Sequence, residues 1–367
     1  MPPQATLNTP HRLLKAIQDL PLRGPVRILN LCGDQERVIT LAGMRGLLPE
    51  QVSLLSGPGC AASICPEADL YQAVQLASRE RVTLLVAENM LQLPLGRHVF
   101  GPRTLQEARS NGADVRIVTA PIEAVLIAGL EPEREMVLFA AGFETLLAPF
   151  AGMVLEGLPK NLTALLCGRR VEPLVEQLLD CEEPGFEGLL LPGNRCAVTG
   201  TAEWEDLLNR YRMPAAVAGY TNNSILAAIH AILQQVCADE TQLTNCYQAM
   251  VRTEGDALAR DRLFRVFDLK DGTWRGVGRV SKTAFRFRYA YDVVDADRRH
   301  PDFRHELRLG ADEMPEGCGC ALVLLGQQEP ADCRRFTIGC RVESPYGPCM
   351  ASEDGACYLR SGGSRVA

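Results

Sequence analysis

The C-terminal segment of the chain carries a dense group of cysteines. The chain of 367 residues has 14 cysteines, and six of them lie between positions 318 and 357. Their successive spacings are 2, 13, 7, 9 and 8 residues, so the six thiols can meet only where the backbone folds back repeatedly around a common centre. A metal cluster supplies such a centre. The sequence therefore predicts that four of the six thiolates hold an iron–sulfur cluster.

Two other interpretations of this cysteine-rich tail remain open. Zinc also takes four thiolates, but structural zinc sites favour paired C-x-x-C segments, which the tail lacks. Disulfides or free thiols are the other alternative, although in a reducing compartment cysteines are more often ligands or redox groups. Glycines and prolines flank nearly every one of the six, so the sequence predicts a cage of loops rather than a helix or strand. Four ligands would leave two thiols, which can form a redox pair beside the cluster.

The preceding part of the chain must position this tail and any second site. From Val26 to about Val236, short apolar runs alternate with helical patterns, which is typical of βαβ units and a parallel sheet. The predicted strands are Val26–Leu31, Val52–Leu55, Val82–Ala87, Val115–Thr119, Met136–Ala140, Leu162–Leu166, Gly188–Leu191 and Ala215–Ala218. We therefore expect an α/β fold with two doubly wound parallel-sheet lobes and a C-terminal loop-rich cluster lobe. The expected divisions are residues 1–120, 121–245 and 246–367.

The strand-to-helix turns are the next candidate sites, because ligands in such sheets bind outside the carboxyl ends of the strands. These turns contain Cys32, Cys60 and Glu144. Each also has a structural interpretation, namely a buried cysteine that ends an apolar strand or an acid at a helix N-terminus. Five further cysteines are scattered among apolar or helical segments and are expected to be small buried hydrophobic residues: Cys167, Cys181, Cys196, Cys237 and Cys246.

Composition excludes some classes of function. The net charge of −7 and the pI near 5.4 argue against sequence-independent binding of nucleic acid, which requires a basic surface. No window reaches the roughly 18 uncharged apolar residues of a membrane span, and the N-terminal segment lacks the apolar core of a signal peptide. We therefore expect a cytoplasmic protein without a nucleic-acid or membrane partner.

Several short segments carry a family resemblance. LCGD, SGPGC, AAGFET, LLPGN, VAGY, WRGVG and YGPCMASEDGAC make the chain resemble the HypD family of [NiFe]-hydrogenase maturation factors from about residue 26 to residue 357. The resemblance implies two α/β lobes plus a cluster lobe. It also implies action with a HypC-like small carrier chaperone and a HypE-like cyanide donor to assemble an Fe(CN)2CO centre. Such a protein is a redox-active assembly factor rather than a conventional turnover enzyme.

The resemblance also implies roles for individual cysteines. In the tail it implies that a [4Fe–4S] cluster is held by one set of four, Cys318, Cys333, Cys340 and Cys357. It implies that Cys320 and Cys349 form the adjacent redox-active pair. It further implies that Cys32 is a ligand for a transient mononuclear iron bearing cyanide and carbon monoxide, for which a thiolate is a suitable soft ligand.

The chain departs from the family pattern at four positions. Ser63 occupies the place of the second cysteine in the motif that begins at Gly57, so that Cys60 and Cys65 would have to bridge over a longer loop. Three further positions lack the family's histidines, which could titrate near neutrality or bind metal: Gln35, Arg169 and Asn194. Three hypotheses follow. They are a maturation scaffold, a divergent iron–sulfur thiol–disulfide or electron-transfer protein with another partner or metal cofactor, and a binding module with a structural cluster.

Overall fold

Eleven strands are present in the part of the chain that the computed structural model describes, which is residues 9–79, 81–95, 101–301 and 314–362. Each of the eight predicted strands is confirmed, as β1 to β8. The strands are β1 (Val26–Asn30), β2 (Val52–Ser56), β3 (Thr83–Val86), β4 (Val115–Ile117), β5 (Met136–Gly142), β6 (Leu162–Gly168), β7 (Gly188–Pro192), β8 (Ala215–Ala218), β9 (Leu243–Asn245), β10 (Phe267–Trp274) and β11 (Gly278–Phe287).

Helices follow most of the strands, as expected for βαβ units. They are α1 (Pro10–Gln18), α2 (Gly33–Leu41), α3 (Ala61–Ile64), α4 (Glu67–Arg79), α5 (Leu105–Ser110), α6 (Pro121–Leu130), α7 (Glu144–Glu156), α8 (Glu172–Leu179), α9 (Gly193–Thr199), α10 (Ala202–Tyr211), α11 (Asn222–Ala238), α12 (Ala257–Val266), α13 (Ala296–Arg299), α14 (Cys320–Leu324), α15 (Pro348–Ala351) and α16 (Ala356–Arg360). Among the described helices, none combines the length and apolar character needed to cross a bilayer.

The chain forms two compact units, and each is discontinuous in sequence. The first contains the described residues up to Gly59 together with Val175–Ala257 and Leu322–Glu329. The second contains Cys60–Leu174 and the described residues of 258–321 and 330–362. The expected boundaries at residues 120 and 245 fall inside these segments, and their meaning as domain limits stays a prediction.

The first unit is built on a parallel sheet with the strand order β2-β1-β7-β8-β9. Every residue of β7 and β8 is buried, as the continuous apolar runs of a sheet covered on both faces require. Leu13 and Ile17 of α1 join Ile225 and Ile229 of α11 in the core that covers one side of the sheet. Thr221 caps α11 by accepting the N–H of Ser224.

The second unit contains a parallel sheet with the order β4-β3-β5-β6. Its central strand β5 is buried throughout its length. Helix α4 contributes Leu70, Val74 and other apolar residues to the core beside this sheet. The two parallel sheets confirm the predicted α/β class with two lobes.

An antiparallel hairpin and most of the cysteine tail belong to the second unit. Strands β10 and β11 pair from Phe267 with Phe287 to Trp274 with Gly278, and the register shifts between Lys270 and Gly272. The tail is not made of loops alone. Three of its cysteines lie in the short helices α14, α15 and α16. Each of these helices follows a glycine and has only four or five residues, so the flanking glycines limit the helices to single turns and do not prevent them.

Candidate metal and thiol sites

Three thiols of the tail form a buried group. The Sγ atoms of Cys320, Cys349 and Cys357 all lie within 4.8 Å of one another. One short helix supplies each thiol, so three separate turns converge on the same point. A group of three buried thiolate donors can hold a metal ion or a cluster, since thiolates are ligands of both zinc and iron–sulfur centres.

The other tail cysteines lie around this group with their sulfurs against the backbone. A Cβ atom placed on Gly347 would overlap Cys318 Sγ and lie 3.0 Å from Cys320 Sγ. The N–H of Gly319 donates a hydrogen bond to Cys333 Sγ at 3.4 Å, and the N–H of Tyr346 donates one to Cys340 Sγ at 3.3 Å. Amide hydrogen bonds to sulfur are one of the means by which proteins tune iron–sulfur centres.

The pKa values of the tail thiols are shifted in different directions. A hydrogen bond from Cys320 lowers the pKa of Cys318 to about 7, and the cations of Arg275 and Arg335 also favour its thiolate. The same contact with Cys318 is the main cause that raises the pKa of Cys320. Burial raises the pKa of Cys340. One thiolate in the group therefore opposes ionisation of the next, and a bound cation would relieve that repulsion.

Arg275 is a buried cation that favours the thiolate of Cys318. Its side chain has no solvent exposure, and Nη2 donates to the carbonyl oxygen of Pro94 at 2.6 Å. Its Nε and Nη1 atoms have no hydrogen-bond partner among the described residues. A buried charge is costly unless an opposite charge compensates it, and a cluster with thiolate ligands is anionic. The position of Arg275 therefore fits an iron–sulfur cluster in the tail.

The structure groups the tail cysteines differently from the predicted roles. It places Cys357, an expected cluster ligand, with Cys320 and Cys349, the expected redox pair. All 14 cysteines are free thiols. The division into four ligands and one pair stays a prediction.

Cys32 lies at the carboxyl end of the first sheet, between β1 and α2, and only 6% of it is exposed. Burial raises the pKa of its thiol to about 11, and the nearby guanidinium of Arg195 partly opposes this. Tyr220 lies beside it, where burial is the main cause that raises the pKa of the phenol and the charge of Cys32 adds to the effect. The phenol oxygen accepts the N–H of Asn194 at 2.9 Å. The sequence alone did not indicate a role for Arg195 or Tyr220. Arg195 directly follows the segment LLPGN, and Tyr220 is the last residue of VAGY.

Two glycine and amide contacts hold the Cys32 turn. A Cβ atom on Gly59 would overlap the backbone of Cys32, and the N–H of Gly33 donates to the Gly59 carbonyl at 3.3 Å. Gln35 is fully buried, and its Nε2 donates to the carbonyl oxygens of Leu191 at 3.2 Å and Ala218 at 2.8 Å. Gln35 therefore links the turn to the ends of β7 and β8.

Cys60 and Cys65 have different neighbours. The thiol of Cys60 donates to Ser352 Oγ at 3.2 Å, and burial raises its pKa. Ser63 is fully buried, and its hydroxyl favours the thiolates of both Cys60 and Cys349. The thiol of Cys167 donates to Cys65 Sγ at 3.6 Å. A bridge between Cys60 and Cys65 stays a prediction.

Glu144 and Arg169 are held in ion pairs within the second unit. Glu144 is 1% exposed at the first residue of α7, and its Oε1 lies 3.7 Å from Arg170 Nε. Arg169 forms an ion pair with Asp69 at 3.1 Å. Glu144 thus has the position of a helix N-terminal acid, and its role in proton transfer stays a prediction.

The expectation for the five scattered cysteines is confirmed for Cys167 and Cys196, which are buried. It is wrong for Cys181, which lies in the exposed stretch 180–183 that follows α8. Cys237 and Cys246 are half-buried.

Comparison with known proteins gives one consistent result. The family described as HypD, hydrogenase formation hypA family, matches residues 8–361. Hydrogenase maturation factor HypD2 of Bradyrhizobium diazoefficiens is 31% identical over 357 residues, which cover 94% of this chain and 91% of that protein. A putative hydrogenase expression/formation protein of Methanocaldococcus jannaschii is 33% identical over 338 residues, 91% of each chain. Hydrogenase maturation factor HypD of Azotobacter vinelandii is 31% identical over 340 residues, 90% of this chain and 87% of that protein.

Proposed function

Because the chain belongs to the HypD family of hydrogenase maturation factors, we propose that it is the scaffold on which the Fe(CN)2CO centre of [NiFe]-hydrogenase is assembled. Its partners in this proposal are a HypC-like carrier chaperone and a HypE-like cyanide donor. The observation that carries the proposal is the thiol of Cys32, which lies at the carboxyl end of β1 with a cation and a phenol beside it.

Cys32 would bind the iron substrate. The free thiol is protonated at neutral pH because burial holds its pKa at about 11. Iron binding would displace this proton, as metals do when they bind thiols. The guanidinium of Arg195 favours the resulting thiolate. The phenol of Tyr220 stays protonated and has its oxygen bonded to the N–H of Asn194, so its own hydrogen can be donated to the thiolate or to a ligand on the iron.

The tail would hold a [4Fe–4S] cluster through four cysteines, Cys318, Cys333, Cys340 and Cys357. When bound, such a cluster supplies single electrons at low potential for the reductive steps of assembly. Cys320 and Cys349 would relay electrons as a dithiol–disulfide pair. The residues around the thiols prepare the site: Arg275 compensates negative charge, and the amides of Gly319 and Tyr346 donate to sulfur.

We propose that this activity takes place in the cytoplasm, because in a reducing compartment cysteines are more often metal ligands or redox groups than structural bridges. The protein would act as an assembly factor that is reset by electrons, rather than as an enzyme that turns over a free substrate.

A second function is favoured by one observation. Ser63, where the resemblance leads us to expect a thiol, lies beside both Cys60 and Cys349. A hydroxyl cannot take part in thiol–disulfide exchange, so electrons cannot pass through this position as they could through a cysteine. The alternative is therefore a divergent iron–sulfur thiol–disulfide or electron-transfer protein that acts on another partner or metal cofactor.

Counting iron and acid-labile sulfide tests the scaffold proposal. The chain is co-expressed with a HypC-like chaperone, purified anaerobically, and compared with Cys32→Ala and with Cys246→Ala, a half-buried cysteine in the same unit. We expect iron to exceed sulfide in the wild type and in Cys246→Ala, and the two to be equal in Cys32→Ala. An excess of iron that survives Cys32→Ala would contradict the proposal.

A further inference from the structure

A second pair of thiols lies outside the tail. Cys65 follows the short helix α3, and Cys167 lies in β6. The thiol of Cys167 donates to Cys65 Sγ at 3.6 Å, and the two residues are 102 positions apart in the sequence. Their exposed fractions are 0% and 1%, and both belong to the same hydrophobic core. Two sulfurs in van der Waals contact need only a small side-chain movement to form a bond.

A buried cation lies next to this pair. Arg169 is 5% exposed, forms an ion pair with Asp69 at 3.1 Å, and acts electrostatically on both sulfurs. The hydrogen bond with Cys65 and burial raise the pKa of Cys167. Exchange with a disulfide requires one thiolate, and a fixed cation beside the sulfurs lowers the cost of forming it.

A cavity in the same unit is lined by the chain neighbours of the two cysteines. Its volume is 520 Å³, and its lining includes Pro66 and Leu166, the chain neighbours of the two cysteines. Arg169, Asp69 and Lys270 also line it, so its wall is polar. A small polar disulfide in this cavity would contact the chain neighbours of the two cysteines, and exchange at the buried sulfurs requires a local opening of the core.

We propose that Cys65 and Cys167 form a redox site of their own, a dithiol–disulfide couple that exchanges with a small disulfide of the glutathione class. Both thiols are oxidised and one Cys65–Cys167 bond forms. The S–S bond of the small disulfide breaks, and the two electrons and two protons leave on two molecules of its thiol. The new bond joins β6 covalently to the residue before Pro66 and α4. The couple uses no residue of the cysteine tail.

Peptide mapping tests the proposal on the full chain. The purified protein is incubated with oxidised glutathione, its free thiols are alkylated in denaturant, and it is digested with trypsin without reduction. Cys167 lies in the tryptic peptide 161–169, whereas Cys60 and Cys65 share the peptide 46–79. We expect a disulfide-linked pair of these two peptides. The link should persist in Cys60→Ser and disappear in Cys65→Ser and in Cys167→Ser.

Other products would overturn the proposal. A loss of two hydrogens within peptide 46–79 alone would mean that Cys60 and Cys65 pair instead. The exposed Cys181 serves as an internal control for reaction with oxidised glutathione. If Cys181 is modified while Cys65 and Cys167 are still alkylated as free thiols, the pair does not exchange. The wild-type map alone separates these outcomes, so the test holds even if a variant fails to fold. Thermal unfolding gives a second test. If oxidation raises the unfolding midpoint of the wild type but not of Cys60→Ser, the bond that forms requires Cys60, and the proposal is contradicted.

Discussion

An alanine at position 347 tests how closely the backbone approaches the tail thiols. The backbone of Gly347 has a φ of −113°, which any residue adopts, so the substitution adds no backbone strain. The new Cβ would overlap Cys318 Sγ and lie 3.0 Å from Cys320 Sγ. Overpacking of this kind costs about 1–3 kcal/mol. Replacing glycine by alanine also lowers the conformational entropy of the unfolded chain, which stabilises the folded state by roughly 0.4–1 kcal/mol. We therefore expect a net destabilisation of about 1–2 kcal/mol in the metal-free protein.

The larger effect should be on the cluster, because Cys318 is one of its four proposed ligands and Cys320 belongs to the proposed redox pair. Iron and acid-labile sulfide per chain, with the visible absorption of the anaerobically purified protein, measure its occupancy. Gly339→Ala is the matched control, since the nearest atom to its Cβ would be Arg335 Nη1 at 3.7 Å, an ordinary contact. We expect Gly339→Ala to retain its iron and Gly347→Ala to lose most of it. Full iron occupancy in Gly347→Ala would refute the reasoning.

Three further substitutions test other contacts. Gly59→Ala should destabilise the protein by about 3 kcal/mol in urea unfolding, because the new Cβ would overlap the backbone of Cys32. Gly24→Ala is the control and should be neutral, since no atom lies within 4 Å of its Cβ. Arg275→Met should lower the midpoint potential of the anaerobically prepared protein by roughly tens of millivolts, since a buried cation favours the reduced, more negative state; an unchanged potential would exclude that role. Thr221→Ala should cost about 1 kcal/mol of unfolding free energy because α11 loses its cap, and an unchanged urea midpoint would contradict this.

The strands that could be predicted are those with continuous apolar runs. β5, β7 and β8 are buried on both faces, so their sequences are apolar throughout and bounded by turn residues. β9 has three half-buried residues, and the hairpin strand β10 mixes Lys270 and Asp271 with apolar residues, so neither pattern identifies a strand. Strand pairing could not be predicted either. β1 pairs with β7 through contacts between residues about 160 positions apart, which periodicity does not encode.

The candidate sites divide in the same way. The tail was recognisable because its chemistry is carried by residue type and spacing within one segment. Arg275 lies inside the motif WRGVG, but its role depends on its complete burial and on its effect on the thiol of Cys318, which only the tertiary structure provides. The sequence predicts Cys167 as a core residue, and its burial is confirmed. Its contact with Cys65 joins β6 to a turn far away in sequence, so no local pattern could have indicated it.

The thiol of Cys32 was predicted, and its neighbours were not. Arg195 of α9 and Tyr220 of the turn after β8 act on this thiol. Arg195 Nη2 also donates to the carbonyl oxygen of Leu31 at 2.5 Å. Side chains from three strand ends meet at one edge of a parallel sheet, which is a general property of the fold. The sequence therefore indicated the edge, and the structure supplies the cation and the phenol.

Infrared spectroscopy tests the central claim most directly. The chain is co-expressed with a HypC-like chaperone and a HypE-like protein, purified anaerobically, and measured in the region where iron-bound cyanide and carbon monoxide absorb. The scaffold function predicts bands for both ligands in the wild type and their loss in Cys32→Ala. A spectrum without these bands, from protein whose visible absorption still shows an intact cluster, would contradict it and favour the thiol–disulfide or electron-transfer function.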